Sequence, residues 1–254
     1  MSKKDLLEQV HAIAEGAGAL VMEVYRSDFS ARSKDDASPV TEADERAEVF
    51  IVAALRKLTP EIPIVAEEAV AAGRIPEVAD VFWLVDPLDG TKEFIGRNDE
   101  FTVNIALIED GAPVLGVVLA PALGRLYAGI AGGNAYVEDP TGRRTIRCRA
   151  VPDDGLTVVA SRSHGDMAAL TAYLGSRKVA SIRGAGSSLK LCLLAAGEAD
   201  LYPRLGRTME WDIAAGHAVL SAAGGTVSDL SGAPLTYGKP GFENPHFVSR
   251  GLVD

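Results

Sequence analysis

Two acids, Asp86 and Asp89, close the apolar run VFWLVD within the stretch WLVDPLDGTKEF (83–94). Three further stretches put carboxylates at the end of an apolar run or the start of a helix: PVTEAD (39–44), VAEE (65–68) and EWDIAAG (210–216). Each has an ordinary explanation. Asp44 follows Thr41 at the spacing of a helix N-cap and its reciprocal acid. Asp86-Pro87 and Asp89-Gly90 are turn formers, and Asp212 suits the positive end of a helix. Together they point to chemistry. Carboxylates buried side by side repel one another and lose hydration, so they need a cation. An oxygen-only set suits a hard one, Mg²⁺ first and Ca²⁺ or Mn²⁺ after it. On one tight turn Asp86 and Asp89 can bridge two ions, with the Leu88 carbonyl between them as a further ligand. Such a pair of ions clamps a phosphoryl group: one activates water and the other steadies the leaving oxygen.

The elements that must hold these acids follow from periodicity. Apolar residues from Leu6 to Val24 recur at helical spacing, which predicts a helix over 3–26. Residues 27–38 read as a loop, and a second helix runs from near Thr41 to about Leu58, with Pro60 beyond it. IPIVAEE (62–68) and VFWLVD (81–86) read as strands ending in acids. FTVNIALI (101–108), APVLGVVLAP (112–121), GRLYAGI (124–130) and NAYVED (134–139) read as an antiparallel meander with hairpins at Asp110-Gly111 and Gly132-Gly133. TGRRTIRC (141–148) adds an edge strand. Beyond a soft boundary at 140–155, strands at 156–164, 199–204 and 225–230 alternate with helices at 166–174, 187–198 and 212–223. This divides the chain into an N-terminal α+β part, 1–150, with most of the acids, and a C-terminal α/β part, 151–254, with Asp212.

Composition narrows the function. The chain has 254 residues, 47% hydrophobic, and a formal net charge of −10. That length supports a large core, and that charge repels a nucleic-acid polymer unless a basic patch or a metal reverses the field locally. Neither cysteine, Cys148 or Cys192, has metal-like spacing, so both read as reduced thiols. No apolar run reaches the length of a membrane span, and the N-terminus lacks a signal-peptide pattern. The expectation is a soluble cytoplasmic protein with a small-molecule substrate, peripheral membrane association and oligomeric state being left open.

WLVDPLDGTKEF, with VAEE upstream and EWDIAAGHAV downstream, resembles the lithium-sensitive, magnesium-dependent phosphomonoesterases. That superfamily includes inositol monophosphatase, fructose-1,6-bisphosphatase and the 3'(2'),5'-bisphosphate nucleotidases. The resemblance covers nearly the whole chain. Thr91-Lys92-Glu93-Phe94 differs from the Thr-Asn-Phe or Ser-Asn-Phe usual in inositol monophosphatases. SPVTEAD, EFTVNIALI, SRSH, SSLKLCLLAAGEADLYPR and WDIAAGHAV are similar to the bacterial bisphosphate nucleotidases. The resemblance implies a layered αβαβα sandwich of the sugar-phosphatase type. It also implies two or three Mg²⁺ ions and removal of the 3'-phosphate of adenosine 3',5'-bisphosphate in sulfur-assimilation nucleotide recycling. Residue by residue, it implies metal ligation by Glu67, Asp86, the Leu88 carbonyl, Asp89 and Asp212, with Glu68 holding a water-bridged third ion. Asp44 and Thr91 match the pair that orients the attacking water. Gly90 and Thr91 lie where backbone N–H groups hold phosphate oxygens, next to Glu67, Leu88, Asp89 and Asp212. Ala66 departs from the Gly or Ser usual before the Glu pair, and SIRGAGSSLK (181–190) is longer than the pattern.

On the substrate side, Ser187, Ser188 and Lys190 open a helix. They are either a cap and a solvated cation, or a cradle for the 5'-phosphate. Arg204 is a surface arginine or a phosphate fork. His164 is structural or stacks on adenine. Trp83 and Trp211 read as packing that steadies the neighbouring acids, and His217 as core. The rival activities are inositol-1-phosphate phosphatase or a sugar bisphosphatase of the same fold. A rival of another class is a non-catalytic cation-binding module, which has no need of both Asp44 and Thr91.

Overall fold

The computed structural model describes residues 1–33, 39–162 and 167–252. His164, the proposed adenine contact, lies outside them. Helix α1 (Lys3–Tyr25) is capped by Ser2 and presents Val10, Ala14, Ala17 and Val21 to the core. Strands β1 (Ala31–Ser33) and β2 (Pro39–Thr41) pair antiparallel within and just beyond the stretch read as a loop. Helix α2 (Glu42–Leu58) starts at the expected cap, Thr41, with Asp44 completing the capping box.

Strand β3 (Ile64–Ala66) stops short of its acids, and helix α3 (Glu67–Ala71) takes both of them. Strand β4 (Val81–Asp89) runs past Asp86, and a short helix, α4 (Thr91–Ile95), follows it. The meander is β5 (Thr102–Glu109), β6 (Ala112–Ala120), β7 (Arg125–Ile130), β8 (Ala135–Asp139) and β9 (Gly142–Ile146). The chain continues through β10 (Leu156–Ser161), α5 (Met167–Leu174), β11 (Val179–Ala185), α6 (Leu189–Ala195) and β12 (Leu201–Arg204). It ends with α7 (Glu210–Ala222), β13 (Thr226–Asp229) and β14 (Phe247–Arg250).

Among the described residues, β3 to β9 form one seven-stranded sheet in chain order, and the later strands a five-stranded sheet ordered β11-β10-β12-β14-β13. Both faces of the larger sheet are buried along most of β4 to β7, which is why these strands read as continuous apolar runs. Trp83, Val85, Val103, Ile105, Val117 and Leu119 pack beneath α1 and α2. Their alternates Phe82, Leu84, Ala106, Ile108, Val118 and Ala120 pack toward α6 and α7. The five-stranded sheet covers the far side of α6 and α7, and α5 closes its outer face through Val158, Leu170, Leu174, Leu201 and Val248. The result is the expected αβαβα sandwich.

Strands β11 and β14 were not expected from the sequence. Most of β11 is exposed, so period-2 burial could not mark it. The two chain segments share one core, because α6 and α7 bury themselves on the seven-stranded sheet.

Two glycines set how closely α7 approaches that sheet. A Cβ on Gly116 would lie 2.3 Å from the Ala215 carbonyl oxygen, and one on Gly129 would lie 2.8 Å from the Ala222 Cβ. Gly116→Ala therefore forces α7 outward. The expected cost is about 1–3 kcal/mol, with roughly 2–4 °C lost from Tm per kcal/mol. Because Asp212 rides on the first turn of α7, any activity that depends on Asp212 should fall as well. A melting curve and a rate assay that both match wild type would refute this packing argument.

Candidate active site

The stretch DPLD is a bulge. Asp86 pairs with Asn104 and Asp89 with Thr102, so β4 spends one residue more than β5 between the two pairs. In a regular strand, residues three apart point to opposite faces. The bulge turns both acids to the face shared by Thr102 and Asn104, toward α6 and α7. Pro87 sits in the irregular step, where no ladder donor is needed. Asp86 Oδ1 accepts the Leu88 N–H at 3.0 Å and closes the turn. Gly90 follows at φ +90°, a left-handed conformation that glycine reaches without strain.

The other acids arrive on helix starts. Asp44 Oδ2 accepts the Thr41 N–H at 2.7 Å, while Oδ1 receives the Thr91 hydroxyl at 3.3 Å. The same hydroxyl is also 3.3 Å from the Leu88 carbonyl oxygen. Asp212 Oδ2 accepts the Met209 N–H at 2.8 Å and caps α7. The ordinary capping roles of Asp44 and Asp212 therefore hold, alongside their positions at the site. Glu67 begins α3 and hydrogen-bonds the Asp86 side chain.

Glu67, Asp89, Thr91 and Asp212 line one cavity of about 540 Å³, which Ser187, Lys190, Tyr202 and Arg204 also line. Gly90 and Ser188 also border it. Asp86 and Leu88 are buried behind the wall, each 1% exposed. Asp44 is equally buried and reaches the cavity through Thr91. Glu68 sits beside Glu67 and gives its N–H to Glu48 at 2.7 Å.

The electrostatics are those of crowded acids. Burial, then the charges of Glu67, Asp89 and Asp212, pushes Asp86 well above the usual carboxylate range. Burial, then Asp89 and Glu67, does the same to Asp212. Asp89 rises to about 6 through burial, with Lys190 partly offsetting the shift. Lys190 falls to about 8, chiefly through burial, although Asp89 pulls it back up. Among the described residues no three acidic, histidine or cysteine side chains already converge into a closed metal cage. The donors nevertheless fit a hard divalent cation: buried carboxylates that raise one another's pKa are relieved by a positive charge set among them.

The substrate-side residues differ from their ordinary readings. Ser187 is no helix cap; it has φ +44°, and its buried hydroxyl has no hydrogen-bond partner. Lys190 is buried, not solvated, and its ammonium donates to the carbonyls of Ser187 at 2.5 Å and Ala185 at 3.2 Å. Ser188 contributes to the site indirectly. Its hydroxyl bonds Asn104 Oδ1 at 2.7 Å and lies 3.0 Å from Thr102 Oγ1, while its backbone N–H supports Asp89. Arg204 keeps a buried Nε without a partner and donates from Nη2 to the Arg207 carbonyl at 2.8 Å.

Trp83 donates to Thr59 Oγ1 at 2.9 Å, and Trp211 packs on Phe242 while bordering the cavity. His217 is core, lies 2.8 Å from the Tyr237 hydroxyl and is pushed down to about 4 by burial. Both thiols are buried and unpaired in disulfides. No described helix is long and apolar enough to cross a membrane.

Thr102, Asn104 and Glu210 were not singled out from the sequence. Thr102 and Asn104 carry a usable signal: two polar residues at alternate positions of an apolar strand. Glu210 is wholly buried and holds the N–H groups of Gly238 and Lys239 at 2.7 and 2.9 Å, which anchors the first turn of α7. No local pattern marks it.

The sequence model of the inositol monophosphatase family matches residues 2–250. The chain belongs to the inositol monophosphatase family. Two relatives, from Salmonella typhimurium and Escherichia coli, are named 3'(2'),5'-bisphosphate nucleotidase CysQ. They are 50% and 48% identical to it, over 95% of this chain and 98% of each relative. The crystal structure of CysQ from Bacteroides thetaiotaomicron, a bacterial member of the family, aligns with a TM-score of 0.83 at 36% identity over 98% of both chains. Within this family fold, the bulged strand end, the start of α3 and the start of α7 bring the acids together.

The crowding predicts a pH effect of definite sign. Asp86, Asp89 and Asp212 have folded pKa values above their unfolded value of 3.8. The metal-free folded state therefore binds more protons than the unfolded chain, and loses stability as pH rises through about 6. A divalent cation relieves the charged form, so the Tm gain from millimolar Mg²⁺ should be larger at pH 8 than at pH 5. Equal gains in a thermal-shift assay would contradict the crowding.

Proposed function

We propose that this chain is a Mg²⁺-dependent phosphomonoesterase that converts adenosine 3',5'-bisphosphate to AMP and phosphate. We assign it to the cytoplasm and to nucleotide recycling in sulfur assimilation. The observation that carries the reading is one cavity lined both by carboxylates (Glu67, Asp89 and Asp212) and by Lys190 and Arg204, with the Arg204 Nε and Ser187 Oγ left without partners. A molecule with two phosphates can set one among the carboxylates and their cation and offer the other to the unpartnered Arg204 Nε and Ser187 Oγ, whereas inositol-1-phosphate has no second phosphate for them. The names of the relatives described above agree with this choice.

Glu67, Asp86, Asp89, Asp212 and the Leu88 carbonyl are the residues that would hold two Mg²⁺ ions, with Glu68 available to a third. The ions supply an acidified water and neutralise charge on the transferred phosphoryl group. Thr91 has one hydroxyl proton, shared between Asp44 and the Leu88 carbonyl. Its oxygen lone pairs can accept from the attacking water, and Asp44 fixes the direction in which they point. The water oxygen adds to phosphorus as the bond from phosphorus to the 3'-oxygen breaks; the water gives up one proton to solvent, and the departing 3'-oxygen takes one from solvent and leaves as the 3'-hydroxyl. Ser188 and Asn104 keep Asp89 on the cavity wall; the Asn104 amide lies 3.5 Å from Asp89 Oδ2. Elsewhere in the lining, the unpartnered Arg204 Nε and Ser187 Oγ, together with Lys190, match the needs of a 5'-phosphate.

Purified protein with Mg²⁺ should release phosphate from adenosine 3',5'-bisphosphate with a kcat/KM orders of magnitude above that for inositol-1-phosphate or fructose-1,6-bisphosphate. A preference for inositol-1-phosphate would keep the metal chemistry and remove the nucleotide assignment. Arg204→Gln removes a charged hydrogen bond worth about 1.5–3 kcal/mol. The KM for the bisphosphate should rise roughly tenfold or more, since 1.4 kcal/mol is tenfold, with little change for adenosine 3'-monophosphate. Equal effects on both substrates would take Arg204 out of 5'-phosphate binding.

A further inference from the structure

Helix α3 carries Glu67 as its first residue and has no cap of its own. The preceding residue, Ala66, is extended (φ −123°, ψ 141°) and makes no side-chain hydrogen bond. Helices usually place Ser, Thr, Asp or Asn there. The first-turn N–H groups are met from another helix. Glu48 Oε2 accepts the Glu68 N–H at 2.7 Å, and the Ala69 N–H also donates to the Glu48 carboxylate. Glu48 is 6% exposed and lies on α2 one turn beyond Asp44. Residues four apart share a helix face. One rigid helix face therefore holds Asp44, which touches Thr91, and the carboxylate that secures the start of α3.

We propose that Glu48 is a positioning residue: it caps α3 across the fold and thereby fixes Glu67 relative to Asp44 and Thr91. The inference rests on the reading of Glu67 as a metal ligand. An uncapped helix end leaves its first N–H groups unsatisfied and frays. Glu67 stands at that end, so fraying spreads the position of the ligand itself. Groups that orient metal ligands typically change metal affinity by about 10- to 100-fold when removed. A purely structural role would lower Tm but leave the affinity of the folded protein unchanged. Ala66 offers a way to separate the two roles, because its extended backbone is that of an N-cap and a serine there can cap α3 locally.

The test is Mn²⁺ titration of the metal-free protein, with free ion followed by electron paramagnetic resonance. Wild type, Glu48→Ala and the double variant Glu48→Ala/Ala66→Ser are compared at a temperature where all are folded. Glu48→Ala should bind Mn²⁺ at least about tenfold more weakly, with the KM for the bisphosphate unchanged at saturating metal. Adding Ala66→Ser should recover most of the lost affinity. Affinity within twofold of wild type for Glu48→Ala, or no recovery in the double variant, overturns the inference while leaving the metal reading standing. A wild-type protein that binds no Mn²⁺ overturns the metal reading and this inference with it. If Glu48→Ala does not fold, Glu48→Gln with and without Ala66→Ser is read in the same way. The carboxamide has one acceptor atom for two N–H groups, so weakened binding restored by Ala66→Ser sustains the inference and wild-type affinity overturns it.

Discussion

Mutual repulsion among Asp86, Asp89, Asp212 and Glu67 is the constraint around which this molecule is arranged. Left to themselves, charged carboxylates separate and hydrate. Here each is tied to a rigid element before it meets the others. Asp86 and Asp89 are held by the bulged end of β4 in the seven-stranded sheet, Glu67 by the start of α3, and Asp212 by the start of α7. The raised pKa values of Asp86, Asp89 and Asp212 are the record of that confinement. A positive charge set among these carboxylates would relieve that confinement.

The five layers supply the rigidity. Gly116 and Gly129 let α7 settle against the sheet at backbone contact, which brings the first turn of α7 beside the end of β4. Glu210 anchors that turn to the loop at Gly238 and Lys239. In the same cavity lining, Lys190 is buried with its ammonium bonded to two carbonyls and its charge felt at Asp89. An acidic protein thereby presents a cationic surface inside one cavity, where low dielectric strengthens it.

Structural and chemical roles coincide in these residues. Asp44 completes a capping box with one oxygen and receives Thr91 with the other. Asp212 caps α7 and faces the cavity. A cap fixes the rotamer of an acid as firmly as it fixes the helix, so a carboxylate already held in this way needs little further ordering when it binds an ion.

Local patterns in the sequence determined a good deal. The capping box at Thr41 and Asp44, the meander from Thr102 to Ile146 and the acids at the end of VFWLVD are all legible, because caps, alternation and turns depend only on residues a few positions apart. The sandwich and the acid set followed from these patterns together with the family resemblance. The tertiary structure alone decided the rest. The bulge that turns Asp86 and Asp89 to one face depends on register with β5. The burial of Lys190, the bonding of Ser188 to Asn104 and the capping of α3 by Glu48 each join segments far apart in the chain. β11 stayed hidden because an exposed edge strand has no buried face to imprint a period on its residues. Such features are set by which surfaces meet, and that is written in the whole packing, not in any short window of residues.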